Sequence, residues 1–303
     1  MKELIEYIPL RLLSWLARHL RFKTAGKVGS ALGGAAFRLP IRRKEIALDN
    51  LSKAFPDLSS GEVRSIALGA FRNYGSALLE FLWSDRQPAD VLLKTARIAD
   101  YRVIQKYISN RQAVIFLSAH YGCWELLLKP VRLYLGRPMT SIVHHQRNKR
   151  IDRFVDRIRC QFENSTVPMG IGAREVLRAL KEGGAILMLG DQSGSKESLF
   201  IDFFGRPAAT HRGAAAFSLK TNTPIVMVLL LRQEDGTYEI VCEEVDRTGL
   251  DGRTEENVVE LTRRHTALLE RYIRMRPDHW LWMHRRWKHT ESYQSHALAE
   301  EPV

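Results

Sequence analysis

Residues 113–119 (AVIFLSA) are an apolar run that stops at His120, and Glu125 follows five positions on. A neutral imidazole can take a proton near pH 7. A carboxylate bonded to its other nitrogen fixes the tautomer and stabilises the cation that forms. His120 and Glu125 are therefore a candidate two-residue base. The spacing by itself is not distinctive, because His265/Glu270 and His296/Glu301 repeat it, one in an amphipathic helical pattern and one in the polar tail. Only His120 follows a run of buried-strand type. The residues leave two readings open: a catalytic pair, or a capping histidine beside a surface acid.

The elements that would position this pair can be read from hydrophobic texture. From about residue 97, apolar runs alternate with helical patterns. Strands are expected at 113–119, 139–144, 185–190, 224–232 and 238–245, the last after a turn at Asp235-Gly236. Helices are expected at 124–135, 148–163, 172–182, 212–221 and 254–275. Such alternation predicts an α/β fold with a mixed, largely parallel sheet covered by helices. Open sheets of this kind place ligands at the carboxyl ends of their strands, where His120 falls. Two further polar groups fall at equivalent places. Residues 144–147 (HHQR) end the second strand, and residues 190–192 (GDQ) end the third. Arg147 is a candidate for holding a phosphate or carboxylate, with a surface salt bridge as the alternative. Asp191 and Gln192 either orient a substrate or cap a turn.

Residues 1–85 read as helical. Val28 to Phe37 is rich in small residues (Gly29, Gly33, Gly34), which suits close helix packing or shallow insertion. Ser59 to Glu62 matches a capping box, and Val63 to Trp83 continues as a long amphipathic helix. Pro88 marks a joint. The expected organisation is an N-terminal helical, membrane-associating region over 1–90, an α/β core over 91–290 and a polar tail over 291–303.

Charge narrows the partners. The net charge is +12 over 303 residues, and it is concentrated. Residues 1–50 carry ten Lys/Arg against four Asp/Glu, 147–159 six against two, and 271–290 six against one. Localised basic charge implies a polyanionic partner such as anionic lipid, an acidic protein or nucleic acid. Leu4, Ile5, Ile8, Leu12, Leu13, Trp15, Leu16 and Leu20 recur at helical spacing with Arg11, Arg18, Arg21 and Lys23 between them. Arg11 and Arg18 make this a poor membrane span, and no signal-peptide cleavage pattern follows it. It fits a helix lying in a membrane interface, or one packed on its own domain. Residues 278–288 (DHWLWMHRRWK) interleave aromatics and cations as interfacial surfaces do, a pattern that also suits single-stranded nucleic acid. With no RNA-binding motif alongside, the amphipathic N-terminus favours lipid.

Several chemistries lack their motifs: there is no GxGxxG after a first strand, no GxxxxGK[ST] and no GxSxG. Cys123, Cys160 and Cys242 form no CxxC pair, which argues for a reducing compartment and against structural zinc or a disulfide framework. Residues 203–210 (FFGRPAAT) either line an apolar channel or form a packed loop.

In this order and spacing, the motifs resemble the bacterial lipid A biosynthesis (lauroyl/myristoyl-type) acyltransferases, within the wider lysophospholipid acyltransferase superfamily. That group includes relatives acylating mannosylated phosphatidylinositol. The matching residues are Ala119-His120-x4-Glu125, Arg147 with Asp152, Gly190-Asp191-Gln192, and Phe204-Gly205-x-x-Ala208-x-Thr210. To these are added the terminal Trp282-x-His284-Arg285-Arg286-Trp287-Lys288 and the opening Arg42-Arg43-Lys44…Asn50-Leu51-x-x-Ala54-Phe55-Pro56. The resemblance covers about residues 1–290.

It implies a glycerol-3-phosphate-acyltransferase-like fold and transfer of a fatty acyl group from an acyl-carrier-protein or coenzyme A thioester to a glycolipid hydroxyl, with no cofactor or metal. His120 is then the general base and Glu125 its partner, while Arg147, Asp191, Gln192, Gly205 and Thr210 bind substrate. The implied partners are carrier protein or acyl-CoA, anionic membrane lipid and the glycolipid acceptor, but no nucleic acid. The implied location is the cytoplasmic face of the inner membrane. Many members open with a clear membrane-spanning helix, which Arg11 and Arg18 interrupt here.

Overall fold

The computed structural model describes residues 2–170 and 172–294. The His296/Glu301 pair and the end of the expected tail lie outside them. Four helices open the chain: α1 (Lys2–His19), α2 (Phe22–Arg38), α3 (Arg42–Ala54) and α4 (Ser60–Trp83). They are followed by α5 (Ala89–Thr95), β1 (Ala96–Ile98), α6 (Arg102–Ser109), β2 (Val114–Ser118), α7 (Trp124–Leu135), β3 (Met139–Val143), α8 (Lys149–Arg159), β4 (Ser165–Pro168) and α9 (Ala173–Lys181). The chain continues through β5 (Ala185–Leu189), β6 (Leu199–Asp202), β7 (Pro207–Thr210), α10 (Gly213–Thr221), β8 (Ile225–Arg232), β9 (Tyr238–Glu244) and α11 (Glu255–Met275).

Seven strands form one sheet in the order β1-β9-β8-β2-β5-β3-β4. β8, β2, β5, β3 and β4 run parallel, β9 returns antiparallel to β8, and β1 runs parallel to β9. The architecture is the α/β class expected, with a mixed, largely parallel sheet and helices over its faces. β2 sits near the centre between β8 and β5, and all five of its residues are buried. Covered on both faces, it reads as a continuous apolar run. Each large aliphatic or aromatic side chain it buries contributes roughly 1.5–3 kcal/mol.

Short elements escaped the sequence reading. β1 and β4 have three and four residues, and β6 and β7 make a separate antiparallel hairpin of four-residue strands. The helix expected over 148–163 stops at Arg159, and a 3-10 turn occupies Gln161–Glu163. Phe162 and Glu163 there adopt left-handed φ values of 60° and 62°, which an α-helix cannot accommodate.

α2 lies so close to α4 that a side chain at Gly29 or Gly33 would collide with the backbone of Gly75 or Phe71. Of the two uses open to this Gly-rich stretch, close helix packing is the one found. The capping box at the start of α4 is formed, with the Ser59 and Glu62 side chains each meeting the other's backbone N–H. Such a cap stabilises by about 1 kcal/mol. At its far end α4 is tied to the sheet by the fully buried Glu80, which accepts from Arg232 at 2.7 and 2.8 Å and from the Tyr238 hydroxyl at 2.6 Å. Removing one partner of such a buried pair costs about 3–5 kcal/mol.

α1 docks through one face only. Asn148, which caps α8, donates to the Glu3 carbonyl and the Glu6 carboxylate, and Tyr7 and Arg11 pack on the Phe154 ring. On the other face Ile5, Ile8, Leu12, Trp15 and Leu16 are each more than half exposed. Among the described residues no helix is long and apolar enough to cross a membrane.

Candidate active site

The register of the sheet places the central pair of side chains. β2 pairs with β5 so that Val114 lies opposite Ala185 and Ser118 opposite Leu189. Carried two residues beyond the carboxyl ends, this register sets His120 opposite Asp191. A hydrogen bond of 3.0 Å from the Gly190 N–H to the Ser118 carbonyl holds the two exits together. Asp191 then accepts the His120 backbone N–H (2.9 Å), His120 Nδ1–H (2.9 Å) and the Trp280 indole N–H (2.8 Å).

The hydrogen bond expected of Glu125 is therefore made by Asp191. Glu125 sits in the first turn of α7 and is instead gripped by Arg159 of α8, in one bond of 2.8 Å and a second short one. A strand that exits into a turn before a helix begins carries the i+5 side chain into that helix's first turn, here toward α8, whereas the neighbouring strand's exit lies directly alongside.

This wiring sets the protonation states. Burial alone would raise the Asp191 pKa, but His120, its backbone N–H and Trp280 overcome that and hold the carboxyl at about 2. Burial also works against the imidazolium of His120. The Asp191 charge, with Glu125 behind it, more than offsets this, so His120 is more basic than an ordinary histidine. An ionised Asp191 fixes the proton on Nδ1 and leaves the Nε2 lone pair free to accept. Nε2 meets the Gln192 side-chain amide at 3.2 Å. The imidazole is 18% exposed and packs against Trp124 at 5.0 Å, which in turn stacks on Tyr74 of α4.

The loop bearing His120 is clamped from behind. The Leu281 N–H donates to the His120 carbonyl and the Gly122 N–H to the His279 carbonyl. Gly122 has a φ of 56° and lies so near the Leu230 carbonyl that no side chain would fit. The 278–288 segment is thus an internal strap. Trp280, Trp282, Arg286, Trp287 and His279 are buried, and Asn50 donates to the Trp282 and His284 carbonyls. This overturns the expectation of an interfacial aromatic–basic surface: the three indoles fill the core, and those of Trp280 and Trp282 donate inward.

The other candidate residues are dispersed. Arg147 is exposed and makes no hydrogen bond among the described residues. It follows β3 on the same sheet edge as His120, in a loop held by Asp152, which accepts from the Gln146 N–H and from His145 Nδ1, both at 2.8 Å. Gly205 forms the β6–β7 turn with a φ of 70°. Thr210 is buried, donates to the Ala208 carbonyl and accepts from Arg286. Phe203 and Phe204 are buried among Trp280, Trp282 and Trp287, so the 203–210 stretch is packed, as the hairpin turn followed by β7. His265 and Glu270 do not pair: His265 is buried in α11, and Glu270 accepts from the Phe204 N–H and from Arg274. Among the described residues no three His, Cys, Asp or Glu side chains converge to hold a metal ion.

Arg159 and Trp280 were missed as parts of the site. Asp191 was seen, but as a substrate ligand. One signal could have paired it with His120: each follows the last residue of an apolar five-residue strand by two positions.

The sequence profile of bacterial lipid A biosynthesis acyltransferases matches residues 5–289. The chain belongs to this family. It is an acyltransferase, and similar proteins carry that description over most of their length. The lipid A biosynthesis lauroyltransferase of Escherichia coli K12 is 23% identical over 281 residues, covering 90% of this chain and 88% of the relative. The palmitoleoyltransferase of the same organism is 25% identical over 280 residues, with the same coverage. Its myristoyltransferase is 24% identical over 255 residues, covering 83% and 77%.

Proposed function

We propose that this acyltransferase moves a fatty acyl group from an acyl-carrier-protein or coenzyme A thioester to a hydroxyl of a lipid A precursor, with His120 as general base. The observation that carries this reading is the His120–Asp191 pair, which leaves one basic nitrogen presented at the sheet edge.

The acceptor hydroxyl gives its proton to His120 Nε2 as its oxygen bonds to the thioester carbon. The carbonyl π electrons move to oxygen, giving a tetrahedral oxyanion. Collapse re-forms the carbonyl and breaks the C–S bond, and the thiolate takes the proton back from the imidazolium. Asp191 holds the tautomer and stabilises the imidazolium, as the carboxylate does in a catalytic triad. Glu125 orients Arg159 rather than the imidazole. No covalent acyl-enzyme is required, because the thioester is already activated.

The enzyme works on this reading at the cytoplasmic face of the inner membrane, with the exposed apolar face of α1 lying in the lipid interface. The basic segments favour anionic lipid headgroups and an acidic carrier protein. Arg147, on the same sheet edge as the base, is proposed to meet an anionic group of one substrate.

The test is lipid mass spectrometry on a deletion strain complemented with wild type or His120→Ala. A lipid A species that loses one acyl mass on deletion, restored by wild type alone, is the expected result. A change confined to another lipid would move the acceptor to a lysophospholipid or phosphatidylinositol mannoside. No change in any lipid would leave the chain as a lipid- or carrier-binding protein and overturn the proposal.

A further inference from the structure

The base nitrogen of His120 already has a hydrogen-bond partner. In the neutral ring, with Nδ1–H committed to Asp191, Nε2 can only accept, so the Gln192 group facing it at 3.2 Å is then the amide NH2 rather than the carbonyl. That amide stands where the acceptor hydroxyl has to bind, and the hydroxyl must displace it. The backbone beneath is pinned at three points. Gly190 N–H donates to the Ser118 carbonyl (3.0 Å), Ser193 N–H to His284 Nε2 (3.1 Å) and Gly194 N–H to the Ala209 carbonyl (2.9 Å). The Gln192 side chain is half-buried and makes no other hydrogen bond among the described residues, so it can pivot while its backbone stays fixed.

We propose that Gln192 is the oxyanion donor of this reaction, its amide moving from His120 Nε2 to the developing oxyanion, and that His284 is the positioning residue that fixes the turn from which it pivots. The inference rests on His120 being the base. The geometry favours a short move. In the tetrahedral adduct the oxyanion and the attacking oxygen share one carbon, so a donor displaced from the base by that attacking oxygen is left beside the oxyanion. The amide gains its strong, charge-assisted bond only after attack has begun. It therefore stabilises the transition state rather than the bound substrate. His284 suits its task because Nε2 must remain an acceptor for the Ser193 N–H. Burial, opposed by Asp191 and reinforced by His120 and Arg286, holds the His284 pKa down to about 4, so the ring stays neutral at working pH.

The experiment measures initial rates of thiol release from acyl-carrier-protein and acyl-CoA thioesters with a lipid A precursor as acceptor, for the full chain and five variants. Gln192→Ala and the isosteric Gln192→Glu, which cannot donate, should each lower kcat about 100-fold with KM within about threefold, the usual effect of losing one oxyanion donor. His284→Ala should lower kcat about tenfold. His284→Gln, whose amide oxygen can take the place of Nε2, should recover most of that loss. His120→Ala is the control for the base. If it stays active, the general-base reading fails whatever Gln192 does. If His120→Ala is inactive while both Gln192 variants keep wild-type kcat, or change KM alone, the oxyanion assignment is overturned and the base survives. If His284→Gln is as slow as His284→Ala, the positioning role of His284 is overturned.

Discussion

Two buried polar clusters flank α7, and they differ in what they leave open. At its start lies the proposed active site: Asp191 accepts from three donors, while among the described residues His120 Nε2 is met by one side chain, that of Gln192. Halfway along, Lys129 is buried and donates to the Ser84 carbonyl and hydroxyl and to Gln161, at 2.8–2.9 Å. Beside it Asp85 accepts two bonds from Arg157 and one from Gln161. This second cluster ties α4, α7, α8 and the 3-10 turn together, its donors and acceptors spent on one another. Burial and shifted titration are common to both. A basic lone pair that a ligand can reach belongs to the first alone, and that is what separates a site from a brace.

Variants can break or sharpen that contrast. His120→Ala removes the reachable lone pair and should cut turnover at least ~100-fold with melting temperature nearly unchanged, checked by thiol-release rates and thermal unfolding. Asp191→Asn should follow, at about 100-fold in kcat, because an amide can donate as well as accept and no longer dictates the tautomer. Its pH profile carries the sign. Asp191 raises the His120 pKa, so its neutral replacement should move the acidic limb of kcat/KM to lower pH. Glu125→Gln frees Arg159 but leaves the base wired, and should cost about tenfold or less, well under the loss from Asp191→Asn.

Lys129→Met addresses the brace. Burial lowers the Lys129 pKa from 10.5 to about 7, so between those values the unfolded chain holds a proton that the folded one has released. This lysine therefore makes stability rise with pH from about 7 to 10.5. Replacing it should flatten that rise in the unfolding free energy while kcat stays within about threefold. A large loss of kcat in a folded Lys129→Met protein would dissolve the distinction between the clusters.

The sequence revealed those parts of the molecule whose physics is local. β2, β5 and β8 announce themselves as continuous apolar runs, α7 and α11 as periodic ones, and Ser59 as a cap. His120, Asp191 and Gln192 were all singled out because each follows such a run. Which strand lies beside which is not local. β2 pairs with β5 and β8, which are distant in sequence, and only that order sets Asp191 against His120. The strap at 278–288 was misread for a related reason. Alternating indoles and guanidinium groups look like a surface until the carbonyls that accept from them come into place: Pro277 for Trp282, and Ala209 for Arg286.

The most direct test of the central claim, that Asp191 and not Glu125 governs the base, is a 15N NMR titration of His120. It would use 15N-histidine-labelled wild type, Asp191→Asn and Glu125→Gln, with His120→Ala to assign the signal. The account predicts an Nδ1-protonated neutral ring in wild type with its pKa above the ordinary value of 6.5, a clear downward shift in Asp191→Asn and a much smaller one in Glu125→Gln. A His120 pKa that falls on Glu125→Gln and holds on Asp191→Asn would contradict it.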